Sequence, residues 1–508
     1  MKIKFFLVAL ILFGLLFYSI IGCTDSRSKV IMEGEELSHV YCASCHVYPE
    51  PSLLNKKTWS DVLPKIAELM HVDAYYNPFD ISGPEGDQPV TRARKDQLFP
   101  YEKWEKIVLY YMSTAPEQQP GRVKEWPPIE TGLKNFTTHS LYDRVDVPFT
   151  TLVKFDTIRH RIFFADGSAD KLFISDTHLK VVDSFPVFTG ATDINLERNP
   201  IPVITMGILK PTDGKLGKLT LAVKGKDPLI IIDSMQRPVH AAYADLNGDL
   251  KEDIVISEFG FRHGSLAWFE NEGNDHYKKY LLRDLPGATR SEIFDFNRDG
   301  KPDIIALMAQ ADEGIFIYYN AGNGKFREEM VLRFPPVYGS NYFQLVDFNK
   351  DGFMDILTTN GDNADYSVVL KAYHGIRIFL NDGTNHFKEN IFLPVYGIQK
   401  AVPADIDNDG DFDMVSISFF PDYEKHPEES FIYWENTGKN DFRRFTFEGV
   451  TDGRWITLDV GDMDKDGDQD IILGNAVLSA GNVPATYMTR WKKHSPSVVL
   501  LENTMRNK

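Results

Sequence analysis

Asp245-Leu246-Asn247-Gly248-Asp249-Leu250-Lys251-Glu252-Asp253, running straight into Ile254-Val255-Ile256, is the stretch that decides the fold of this 508-residue chain. Side-chain oxygens stand at its first, third, fifth and ninth positions. The pattern returns at Asp295, Asn297, Asp299, Asp303; at Asp347, Asn349, Asp351, Asp355; at Asp405, Asp407, Asp409, Asp413; and at Asp462, Asp464, Asp466, Asp470. Successive first positions lie 50, 52, 58 and 57 residues apart. Self-similarity near that period marks a stack of supersecondary units, a propeller or a solenoid. Alternating oxygen ligands on a short loop suit a hard cation such as calcium.

Outward from each loop the reading repeats. A short apolar strand enters it, as in Ala241-Ala242-Tyr243-Ala244, and another leaves it, as in Asp303-Ile304-Ile305-Ala306. A third strand follows, such as Ser265-Leu266-Ala267-Trp268-Phe269, then a tight turn at Asn271, Asn320, Asn381 or Asn436 with Gly two residues on. A fourth strand carries an aromatic six residues after that Asn: Tyr277, Phe326, Phe387, Phe442. Four antiparallel strands per unit make a propeller blade. The fifth repeat reaches its turn at Asn503 and lacks an outer strand before Lys508. Residues 134–141 have the pattern of such a strand and are expected to complete the last blade, which removes the unpaired edges. Strand-like runs at 151–155, 161–165, 203–206, 219–223 and 229–232 leave room for two further blades, seven in all.

The five loops resemble the calcium loops of FG-GAP (integrin-α-like, VCBS) repeats. The resemblance implies a mainly β, seven-bladed propeller over 131–508 and up to five calcium ions. The ions would be held by the side chains at positions 1, 3, 5 and 9 and a backbone carbonyl at position 7. Gly at position 6 of such loops permits the sharp turn, and it is present as Gly300, Gly352, Gly410 and Gly467; the first repeat has Leu250 there instead. An EF-hand would require Glu at position 12 between helices. Here that position is Ile256, Ala306, Thr358, Ser416 and Leu473.

Cys42-Ala43-Ser44-Cys45-His46 is a c-type haem attachment signature. Cys42 and Cys45 would bond the haem and His46 would be an axial iron ligand. A zinc site would need a second Cys/His pair, which the sequence does not supply. Helical periodicity at Trp59, Val62, Leu63, Ile66, Leu69 and at Trp104, Ile107, Val108, Tyr111 surrounds a Pro/Gly-rich stretch. This order, over residues 32–115, resembles a small all-α class I cytochrome c, in which the first and last helices cross beside the haem. Met70 is the first candidate for the sixth ligand and His71 the second; Met112 reads as packing, and a weakly ligated iron stays open.

Met1-Lys2-Ile3-Lys4 and the apolar run 5–21 form a basic and then a hydrophobic segment. The ending Ile20-Ile21-Gly22-Cys23 resembles a bacterial lipoprotein signal. That implies removal of 1–22, a lipid on Cys23, a tether over 23–31, and a periplasmic or cell-surface place in the cell envelope; an uncleaved anchor is the alternative. The three cysteines are then all used, one for lipid and two for haem. Residues 116–130 are proline-rich and read as a linker. The net charge of −18 argues against nucleic acid as a partner. Uneven connections at 360–374, 419–429 and 476–495 map to one face of the array and point to a binding surface. No catalytic motif is present. The sequence therefore favours a lipid-anchored monohaem electron-transfer protein with a redox partner, whose propeller docks a glycan or protein. The alternatives are a propeller oxidoreductase feeding its own haem, and a calcium-dependent adhesion or scaffold module.

Overall fold

The computed structural model describes residues 27–44, 47–72, 99–122, 124–142, 147–310, 312–362, 368–439 and 441–505. Cys23, Cys45 and His46, three of the expected site residues, lie outside them. The chain divides into two compact units at Pro120 and Gly121. Among the described residues no helix is long and apolar enough to cross a membrane.

The first unit is helical: α1 over 27–41, α2 at Lys56–Leu69 and α3 at Tyr101–Thr114. Asn55 caps α2 by accepting from the Thr58 N–H at 2.8 Å. The apolar faces of α2 and α3 bury Trp59, Val62, Leu63, Trp104, Ile107 and Tyr111. Polar atoms on the two large aromatics are satisfied by the intervening chain: Trp59 Nε1 donates to the Pro51 carbonyl at 2.9 Å and Tyr111 Oη to the Pro49 carbonyl at 2.7 Å. Gly34 on α1 lies against the Lys106 backbone and the Tyr110 Cβ on α3, leaving no room for a side chain between the two helices.

The second unit is a seven-bladed β-propeller. Blades 1 to 6 span 150–186, 191–235, 238–283, 288–333, 340–394 and 398–446, each with four consecutive antiparallel strands. In blade 7 the strands Trp455–Gly461, Asp470–Asn475 and Val498–Asn503 are completed by Phe136–Leu141, paired Phe136 to Asn503 and Leu141 to Val498. The expected closure of the ring by this early segment is therefore what the fold contains. In blades 3 to 7 every residue of the second strand is buried. Those strands are sandwiched on both faces, which suits their Ile-, Val- and Leu-rich runs. The apolar core sits between adjacent blades, as where Val255 and Trp268 of blade 3 meet Ile304 and Phe316 of blade 4.

Hydrogen bonds fasten neighbouring blades around the ring. Thr151 Oγ1 donates to the Ala191 carbonyl, the Ala241 N–H to Asp193, the Gly287 N–H to the Phe259 carbonyl, and the Leu345 N–H to Glu292. Asn341 Nδ2 then donates to the Ile398 carbonyl, Lys400 Nζ to the Leu458 carbonyl, and the Phe155 N–H to Asp459.

The stretch expected as an exposed linker differs from that reading in its second half. Glu130–Thr131 adds a fifth strand, parallel, to blade 6. Trp126 stacks edge-on against Trp434 and donates to the Pro394 carbonyl, and Arg122 pairs with buried Glu429. Long-range aromatic and ionic contacts of this kind leave no periodic mark in sequence.

Glu313, 1% exposed, precedes the third strand of blade 4 and accepts the Ser340 N–H at 2.9 Å and the Ser340 hydroxyl at 2.5 Å. Burial pushes its carboxyl up to about 8, against the hydrogen bonds from Ser340. The folded state thus holds this proton more tightly than the unfolded chain does. The associated stability is complete below the unfolded value of 4.5 and is lost as pH rises through about 8. Glu313→Gln keeps an acceptor for Ser340 and removes the charge. A plot of thermal midpoint against pH should fall less steeply for this variant between pH 5 and 8 than for the parent; parallel curves would show that Glu313 does not titrate there.

Candidate metal centre in the acidic loops

Each acidic loop joins the first strand of its blade to the second, as its apolar flanks predict. The ninth-position Asp opens the second strand and is wholly buried: Asp253, Asp303, Asp355, Asp413 and Asp470 are each 0% exposed. One carboxylate oxygen accepts the N–H of the turn Asn that ends the third strand, at 2.7–2.8 Å for Asn271, Asn320, Asn381, Asn436 and Asn503. The other accepts the N–H of the loop's second residue, at 2.9–3.1 Å for Leu246, Phe296, Phe348, Ile406 and Met463. The turn Asn returns the tie: its side-chain amide donates to the carbonyl of the eighth loop residue in all five repeats. Asn320 and Asn503 also donate to the loops of the preceding blades, at the carbonyls of Leu246 and Ile406. The ninth Asp is thus first a structural staple between strands one, two and three. A buried carboxylate needs such partners.

The loops share a backbone path. Residue six donates its N–H to the first Asp in all five. It has positive φ in each, 82–95° for the four glycines and 66° for Leu250. Leu250, 94% exposed, therefore takes the left-handed conformation that its repeat partners leave to Gly.

Side-chain chemistry then separates the loops into two groups. In the first three, the fifth residue donates its N–H back to the first Asp at 3.0–3.2 Å, so both oxygens of that carboxylate accept main-chain hydrogen bonds. Lys251 and Lys301, at position seven, place their ammonium groups 3.0 and 2.9 Å from the fifth-position Asp249 and Asp299. Hydrogen bonds from these lysines hold both carboxyls below the usual range. In the third loop Asn349 donates to Asp351 at 2.8 Å.

Loops four and five differ. Asp405 Oδ1 and Asp462 Oδ1 are buried with no hydrogen-bond partner. Asp replaces Asn at position three (Asp407, Asp464) and Lys or Phe at position seven (Asp411, Asp468). Ligand atoms of Asp405, Asp407 and Asp409, and of Asp462, Asp464 and Asp470, gather within 4.8 Å of one another. Burial, with the neighbouring carboxylates adding to it, raises the carboxyls of Asp407, Asp411 and Asp464. Burial pushes Asp413 and Asp470 up to about 7. Apart from Lys350, which donates to the Gly410 carbonyl at the edge of loop four, this gathered negative charge is what a divalent cation relieves. Position seven was expected to offer only its backbone carbonyl. Asp411 Oδ1 is likewise buried and unpartnered, beside the gathered oxygens of Asp405, Asp407 and Asp409. The sequence signal was Asp at that position in these two repeats alone.

Other expected site residues fall as follows. Cys42 follows the end of α1, and burial pushes its thiol up to about 11, against a hydrogen bond with Tyr111. Met70, half-buried, caps the C-terminus of α2. The connections 419–429 and 476–495, expected as binding loops, pack on each other. Tyr423 lies 5.5 Å from Tyr487 and 5.9 Å from Trp491, which sit on helix α4 (Ala485–Lys493). Arg454, 1% exposed, is held between them by the carbonyls of Phe419 and Ala480.

Fold and loops together define a seven-bladed β-propeller carrying FG-GAP-like repeats. Residues 245–306, 295–358 and 359–416 match the family model described as FG-GAP-like repeat. No curated protein matches the chain. Among solved structures, an S. cerevisiae assembly of Dbp5 with Nup159, Gle1, IP6 and ADP is similar at TM-score 0.42 and 12% identity, covering 75% of this chain and 99% of that one. BBS1N in complex with ARL6DN is similar at 0.44 and 8%, covering 73% and 97%. Saccharomyces cerevisiae Sqt1 is similar at 0.42 and 8%, covering 72% and 99%. Likeness at this level carries no functional argument.

Proposed function

We propose that this protein is an exported, lipid-anchored, monohaem electron-transfer protein whose calcium-binding propeller docks a redox partner or a glycan in the bacterial cell envelope. The observation that carries the reading is Cys42-Ala43-Ser44-Cys45-His46 placed directly after the first helix of a small helical unit. Two features support it. The close contact of α1 and α3 at Gly34 matches the crossing of first and last helices in class I cytochromes c. The Cys42 thiol is half-buried beside Tyr111, at the edge of the aromatic core. Cys42 and Cys45 would hold haem covalently and His46 would bind its iron, with Met70 as the candidate opposite ligand; the group supplies single-electron exchange. The lipid on Cys23 would keep the protein at the membrane surface.

Calcium is assigned by the same logic to loops four and five, where Asp405 Oδ1 and Asp462 Oδ1 have no other partner. Loops one and two carry an internal cation in Lys251 and Lys301. Loops one and two, and loop three, whose Asp351 already accepts from Asn349, are the weaker of the five.

The electron-carrier reading is tested with the oxidised, calcium-loaded holoprotein. Sugars, alcohols and aldehydes added singly should leave the haem spectrum unchanged, while dithionite reduces it. Reduction by one of those compound classes would overturn the carrier reading and make the propeller an oxidoreductase.

A further inference from the structure

The seven inner strands carry a second constellation, unrelated to the acidic loops. Side chains alternate across a strand, and here the fourth residue of each inner strand is buried between blades, while polar residues at the third and fifth positions turn toward the ring axis; Leu152, Ala242 and Val402 at those positions pack between blades instead. The third residue is Asp193, His240, Arg290, Tyr342, Lys400 or Thr457 in blades 2 to 7, and the fifth includes Lys154, Glu292 and Asp459. These side chains retain solvent contact although they lie at the middle of the propeller: Arg290 is 26% exposed, Glu292 19%, Asp193 17% and His240 16%. Such exposure is that of a solvent-reached axial channel.

The charges of this channel are formally balanced, but their hydrogen-bonding is not. All three acids spend oxygens on main-chain donors of the next blade: Asp193 on the Ala241 N–H at 3.0 Å, Glu292 on the Leu345 N–H at 3.3 Å and Asp459 on the Phe155 N–H at 2.9 Å. The cations keep unfilled donors. Lys154 makes no hydrogen bond among the described residues. Lys400 makes one, to the Leu458 carbonyl at 2.8 Å, and Arg290 uses only Nε, on Glu292 at 3.0 Å. Arg290 and Lys400 converge on the ring of Tyr342, at 4.9 and 5.1 Å from its centroid. His240 Nδ1 on the same tier is buried with no partner.

From this surplus of donors we infer that the axial channel is a binding site for a small oxyanion, a carboxylate or phosphate group, held by Lys154, Arg290 and Lys400. Arg290 and Lys400 stand on the third-residue tier, toward the strand starts, and Lys154 on the fifth, one step nearer the acidic loops. Burial pushes the Lys400 ammonium down to about 8, with Asp459 opposing and Arg290 and Lys154 adding to the shift, and an anion between these groups relieves it.

Calorimetry on the full-length calcium-loaded protein tests this, with inorganic phosphate in one arm and citrate in the other. The tighter arm tells a phosphate-bearing from a carboxylate-bearing ligand. One saturable site is expected, weakened about tenfold or more by Lys154→Met, the loss of one charge-assisted contact. Lys154→Arg should restore binding, and Lys226→Met on an outer turn should leave it unchanged. Thr457→Glu, which places a carboxylate on the same tier, should abolish phosphate binding and raise the thermal midpoint in phosphate-free buffer. The inference is overturned if neither anion binds saturably, or if Lys154→Met binds as tightly as the parent.

Discussion

A chain that begins at residue 146 should fail to form a cooperative propeller, whereas one that begins at residue 132, which gives up only the blade 6 contacts of Arg122, Trp126 and Glu130–Thr131, should still unfold cooperatively, at a lowered midpoint. The difference between them contains Phe136–Leu141, the outer strand of blade 7. Its six residues pair in register with Val498–Asn503, whose own side chains are almost entirely buried. Removing it exposes that strand as a free edge and opens the only blade built from both ends of the propeller segment. With each ladder bond contributing about 1 kcal/mol, the loss is on the order of 5 kcal/mol before apolar exposure is added, comparable with the whole stability of many domains. Deleting 24–115 instead touches only the helical unit and should leave the propeller midpoint nearly unchanged. Equal midpoints for the chains beginning at 132 and 146 would refute closure by this strand.

Asp303→Ala should destabilise blade 4 by about 3 kcal/mol with calcium and with chelator alike. Its carboxylate is fully buried and receives the N–H groups of Phe296 and Asn320 at 2.9 and 2.7 Å. Truncation strands two buried donors, each costing about 1–3 kcal/mol. Asp405→Asn combined with Asp462→Asn should behave in the opposite way. These first-position carboxylates have an oxygen with no internal partner, so the double variant should match the parent in chelator and lose its calcium-dependent rise in midpoint. That rise follows the linkage between ligand affinity and stability, about 2.7 kcal/mol at a hundredfold excess over Kd. Denaturant titrations of both variants with calcium and with chelator separate the two roles. A calcium-dependent cost for Asp303→Ala would show that the ninth residue acts through metal.

Much of this was legible in the chain itself, because blades are local. The Asp-x-Asn-x-Asp spacing, the apolar run after the ninth residue and the Asn-x-Gly turn all lie within one unit, and the missing outer strand after Asn503 pointed back to 134–141. What the sequence hid is long-range or carried by single residues. Trp126 on Trp434 and the parallel strand Glu130–Thr131 join segments some 300 residues apart with no pattern to announce them. The connections 419–429 and 476–495 read as a binding surface because the packing of Tyr423 on Trp491 depends on blades 6 and 7 being neighbours. The axial tier was invisible for a similar reason: Arg290 and Lys400 are ordinary polar residues of alternating strands until the ring brings them to one tyrosine. The contrast between loops was readable at position seven, where Lys251 and Lys301 supply a cation and Asp411 and Asp468 call for one.

The measurement that tests the central claim most directly is the intact mass and reduced visible spectrum of the protein matured in a host that attaches haem c. The account predicts a mass increase of one haem that survives denaturation, no free thiol at Cys42 or Cys45, and a reduced c-type spectrum that is lost in Cys42→Ala with Cys45→Ala. An unmodified mass with both thiols free under those conditions would contradict it.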